Sequence, residues 1–142
     1  MWSKILTTKD REKSLVLDEV EAVMDDSGYK IVDRDTTKPW GAYYRIDSTQ
    51  TEDFLEEFFS NVNLPEWSNS LPLDPKILVL EPNKRLSWQY HKRRGEVWNV
   101  VAGPVGVYIS ETDEMPGNPK VVSKDGSVQI SVTTRHRLAG LE

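Results

Sequence analysis

The chain contains only two histidines, His91 and His136. His91 ends the run Gln89-Tyr90-His91, and Glu96-Val97-Trp98 follows after a short basic stretch that closes on Gly95. On a strand, side chains alternate between faces, so Gln89 and His91 point the same way. A polar reversal at 92–95 would bring Glu96 back beside them on the next strand. His136 falls on or beside a later predicted strand, and a small β-barrel brings remote strands together. Amide, imidazole and carboxylate donors converging in this way suit one divalent first-row metal ion: zinc in first place, with Mn, Fe, Co or Ni as the other choices. Satisfied polar pairing inside a protein core is the competing reading of the same residues.

Cations surround these donors. Lys84, Arg85, Lys92, Arg93 and Arg94 lie around the first group, and Arg135 and Arg137 flank His136. Guanidinium and ammonium groups so placed suit the phosphate of a small ligand. Lys92 and Arg93, at the tip of a turn, are equally well explained as solvated. On a regular strand Arg135 and Arg137 face away from His136. Trp98 shares the face of Glu96, where it would wall a pocket and stack on a sugar ring or else pack in the core. Leu86, Trp88 and Tyr90 alternate with Gln89 and His91. Their apolar face is expected to meet a second sheet or a homodimer partner.

The elements that must hold these residues are mostly strands. Candidates are 76–81, 86–91, 96–102, 105–111, 120–123 and 128–133, separated by turn residues such as Pro82-Asn83, Gly103-Pro104 and Asp125-Gly126. Many short strands at regular spacing point to a sandwich or barrel, a jelly roll being one such architecture. Upstream, Val16, Val20 and Val23 recur at helical spacing, with Asp10 as a cap and Gly28 as a stop. Residues 1–28 thus read as a helical extension, and 29–142 as the main domain. A strand pair flanks Lys38-Pro39-Trp40-Gly41. A second helix carries Phe54, Leu55, Phe58 and Phe59 as one stripe, with Thr49 and Glu52 spaced as a capping box.

Composition narrows the function classes. The 142 residues suffice for a sizeable core, and 29% charged with 37% hydrophobic residues is ordinary for a folded domain. A net charge of −5 argues against nucleic acid as a partner. The absence of cysteine excludes disulfides and thiolate sites. No apolar run is long enough to span a membrane, and no signal peptide is seen, so the cytoplasm is the expected compartment.

Three stretches carry a resemblance. They are Lys38-Pro39-Trp40-Gly41; Leu86-Ser87-x-Gln89-x-His91-x-x-Arg94-x-Glu96-x-Trp98-x-Val100-Val101-x-Gly103; and Arg135-His136-Arg137-Leu138. Over most of 29–141 the chain resembles the cupins, in particular the small type II mannose-6-phosphate isomerase domain and its phosphoheptose isomerase-like relatives. The resemblance implies a jelly-roll β-barrel, all-β dominated apart from the N-terminal extension and one short helix. It implies a metal held by Gln89, His91, Glu96 and His136. In relatives another strand follows the second histidine word, so the barrel here is expected to lack its final strand.

The activity implied is aldose–ketose interconversion of a phosphorylated sugar through an enediol, a step of carbohydrate metabolism. Arg94 and Arg137 are the candidates at the reacting end, with Lys84, Arg85, Trp98 and Arg135 binding substrate. No second carboxylate in the motif supplies a proton shuttle. Two other functions fit the same residues: a non-catalytic metal site that senses a sugar phosphate or nucleotide sugar, and a metal-dependent oxygenase.

Overall fold

A computed structural model describes residues 12–65, 73–86, 95–102, 104–110, 112, 114, 117–130 and 135–140. Within them the chain is sheet-rich, with antiparallel strand pairs and two α-helices. Among the described residues the strands form open sheets and no closed barrel. The chain divides into two compact units, Met1–Val79 and Leu80–Glu142.

In the first unit, helix α1 (Lys13–Asp26) buries Val16, Leu17, Val20, Val23 and Met24, the stripe its spacing predicts. Gly28 ends it with φ +83°. The Gly28 N–H donates to the Asp25 carbonyl and the Tyr29 N–H to that of Met24, each at 3.0 Å. This paired closure needs a left-handed residue, which glycine adopts without a Cβ clash. Asp10, the expected cap, lies outside the described residues; Glu12 holds the N-cap position with no side-chain bond.

Strand β1 (Ile31–Lys38) turns at Pro39-Trp40 into β2 (Gly41–Ile46), and β3 (Lys76–Leu80) lies on the far side of β2. Ala42, Tyr44 and Ile46 form the buried face of β2. The other face carries an ion-pair ladder in which Arg45 reaches Asp74 at 3.1 Å and Lys76 reaches it at 3.2 Å. Helix α2 (Thr51–Phe59) starts differently from the expected capping box. The Asp47 carboxylate accepts the Thr49 N–H at 3.0 Å and the Thr49 hydroxyl at 2.9 Å. Thr49 is thereby drawn into a short 3₁₀ turn (Ser48–Gln50), and the α-helix begins two residues later. Phe54 and Phe58 pack at 4.8 Å between ring centroids, with Tyr29 edge-on to Phe54 at 6.0 Å. Each such ring contributes roughly 2–3 kcal/mol by burial.

The second unit holds β4 (Glu96–Asn99), β5 (Val105–Ser110), β6 (Lys120–Val122), β7 (Ser127–Ile130) and β8 (Arg135–Gly140). β4 pairs with β7, and β5 lies between β6 and β8. Next to β8 on its other side, Arg85 pairs antiparallel with Ala139, and the Leu86 N–H donates to the Leu138 carbonyl at 2.9 Å. The β6–β7 turn uses Asp125 at φ +69° and then Gly126. A Cβ on Gly126 would stand 2.7 Å from the Val122 Cγ1 and 3.0 Å from the Ser123 carbonyl oxygen. The predicted Asp125-Gly126 turn therefore needs glycine at 126 for close approach, the left-handed position being taken by Asp125.

Candidate functional site

The β4–β7 register sets Glu96 opposite Ile130 and Trp98 opposite Val128. Residues directly opposite in an antiparallel pair share a face. Glu96 and Trp98 therefore stand on the face with buried Ile130 and Val128, while Gln129 between them is exposed. On the other sheet, β8 pairs with β5 so that His136 lies opposite Ile109 and Leu138 opposite Val107. Val107, Leu138 and His136 are all buried, His136 with only 1% of its surface exposed.

The two faces meet at Glu96 and His136. Glu96 Oε2 lies 3.1 Å from His136 Nε2, and the Glu96 side chain is 26% exposed. Trp98 abuts the same imidazole, with ring centroids 5.7 Å apart and planes at 72°. The histidine is thus held between a carboxylate and an indole, both of them partly exposed. An ion pair accounts for a 3.1 Å separation. So does shared ligation, because metal–ligand bonds of about 2.0–2.2 Å put neighbouring donors about 3.0–3.5 Å apart. The donor types and their spacing fit a divalent first-row metal. Among the described residues no group of three or more His, Asp or Glu side chains completes such a site.

Gln89, His91 and Arg94, together with Trp88, Tyr90, Lys92 and Arg93, lie outside the described residues. Arg137 pairs with Tyr108 on β5, which puts it on the face of β8 away from His136. Arg135 pairs through its backbone with Ser110. Lys84 and Arg85 are exposed. Lys84 follows Asn83, which has φ +63°, and its N–H donates to the Glu81 carbonyl at 3.2 Å. Arg85 shares its face with Ala139 and Arg137, again away from His136.

Opposite Leu138, Leu86 shares the face of His136 and is half-buried. Ile130 and Val128 were not singled out from the sequence as site residues, yet they form the apolar wall from which Glu96 and Trp98 project. Their signal was the alternation of Val128 and Ile130 with Ser127 and Gln129.

No protein-family model, curated protein or solved structure matches the chain. Function therefore rests on this geometry and on the residues themselves. Among the described residues no helix is long and apolar enough to cross a membrane.

Proposed function

We propose that the chain carries a cupin-type jelly roll, residues 29–142, that binds one divalent metal and isomerises a phosphorylated sugar. The observation that carries this reading is the 3.1 Å approach of Glu96 and His136 from strands far apart in sequence. Strand order supports it. Sequence neighbours β4 and β5 fall in different sheets, β5 and β6 share one, and the chain at 85–86 runs beside β8. Such sorting is what two Greek keys folded into a double sheet produce.

In this proposal Glu96 and His136 hold the metal together with Gln89 and His91. A bound divalent ion polarises the carbonyl and hydroxyl oxygens of an open-chain sugar and stabilises charge developing there. The apolar surround of Val107, Leu138, Val128 and Ile130 keeps water from the imidazole and lowers the local dielectric. Glu96, the solvent-accessible member, marks the side from which a ligand enters. Arg94 is the cation assigned to the reacting end. Lys84 and Arg85, both exposed, would steer a phosphate toward the unit. A homodimer through the face of Leu86, Trp88 and Tyr90 is part of the proposal.

A second reading is a metal site that binds a sugar phosphate without turning it over. The motif's lack of a second carboxylate to shuttle a proton favours it. Metal analysis, followed by incubation with hexose and heptose phosphates in deuterated water, separates the two. Deuterium at the carbon beside the carbonyl supports isomerisation, and metal without exchange supports the binding module. Oxygen consumption with a candidate substrate would replace both with an oxygenase. A protein that takes up no divalent metal overturns the proposal.

A further inference from the structure

We infer that Trp98 is a positioning residue for His136, setting which ring atom faces Glu96 and so tuning the affinity of this site for a divalent metal. The inference rests on the metal-binding reading above and concerns a residue that the ligand set does not include.

The imidazole of His136 has two atoms at its far end, Nε2 and Cε1. A half-turn about its outer torsion exchanges them and would present a carbon to Glu96 instead of a nitrogen. The observed orientation puts Nε2 3.1 Å from the carboxylate. Trp98 stands against the ring at 5.7 Å and 72°, an edge-type contact that packs the indole beside the imidazole. His136 is 1% exposed, so solvent supplies no room for the turn. Strand geometry links the two roles. Trp98 is two residues after Glu96 on the same face of β4, so one strand delivers both the carboxylate and the wall that aims the imidazole at it. Groups that orient a metal-binding histidine typically change affinity by about 10–100-fold when removed.

The test compares wild type with Trp98→Leu and Trp98→Phe. Zinc affinity is measured by competition with a chromogenic chelator, and the thermal midpoint of the metal-free proteins is measured alongside. The expected result is an affinity loss of about tenfold or more in Trp98→Leu, with substantial recovery in Trp98→Phe, which keeps an aromatic face against the imidazole. Affinities corrected for any loss of metal-free stability should retain the difference. Equal zinc affinity in wild type and Trp98→Leu overturns the inference while leaving the metal site intact. An affinity loss fully accounted for by metal-free unfolding also overturns it. Absence of zinc binding by wild type defeats the metal-binding reading itself, so the two failures are distinguishable.

Discussion

Replacing Glu96 and His136 with glutamine, singly and together, tests whether the pair is coupled and whether the coupling includes a metal. At 3.1 Å an ionised Glu96 and a protonated His136 would attract by about 5 kcal/mol at an effective dielectric of about 20. Desolvating His136 offsets much of this, and the partly solvated Glu96 carboxylate weakens the rest. A coupling energy of about 2 kcal/mol is the expected remainder. Hydrogen exchange of the β4 and β8 amides reads it locally, and 2 kcal/mol corresponds to about a 30-fold change in protection. In chelator, the double mutant should therefore lose less protection than the sum of the single mutants. Zinc at one hundred times its dissociation constant should add about 2.7 kcal/mol to wild type, and each single mutant should lose most of that increment. Additive single mutants, with coupling below about 0.5 kcal/mol, would refute the pairing. An undiminished zinc increment in Glu96→Gln would refute shared ligation.

Two further outcomes concern the first unit. Tyr44 is fully buried and its hydroxyl has no hydrogen-bond partner among the described residues; burial first, then the nearby Glu21 carboxylate, pushes its pKa up to about 12. Tyr44→Phe should therefore stabilise the protein by about 1–2 kcal/mol in urea unfolding, whereas a loss above about 1 kcal/mol would mean that the hydroxyl is satisfied. The Asp47 carboxyl is held below its ordinary value chiefly by the Thr49 N–H and then by the Thr49 hydroxyl. Its contribution to the start of α2 is thus present above the unfolded-state pKa and is lost as pH falls through the lower folded-state value. Asp47→Asn should remove that acid-side dependence from amide exchange at 48–52, and a profile identical to wild type would count against the cap.

Much of the first unit was legible because its signals are local. The valine spacing of α1, its glycine stop and the aromatic stripe of α2 each lie within a few turns of chain. The start of α2 was not, because two acceptors compete there and Asp47 captures Thr49 before a Thr49–Glu52 box can form. In the second unit, turn residues and alternation located β4 to β7 to within a few residues, whereas β8 was not among the candidate strands. Alternation also turned Arg137 away from His136. What lies beside Leu86 was not legible, because a strand has two faces and only the pairing with Leu138 decides which one it shares with His136.

The sequence by itself determined the donor types: a carboxylate at 96, an imidazole at 136, and an indole two residues after the carboxylate on the same strand face. Those follow from side-chain chemistry and from the two-residue period of an extended chain. Only the tertiary structure decided that β4 pairs with β7, that β8 pairs with β5, and that the two inner faces bring Glu96 within 3.1 Å of His136. Strand partners far apart in the chain are chosen by which faces bury together, and no local pattern encodes that choice.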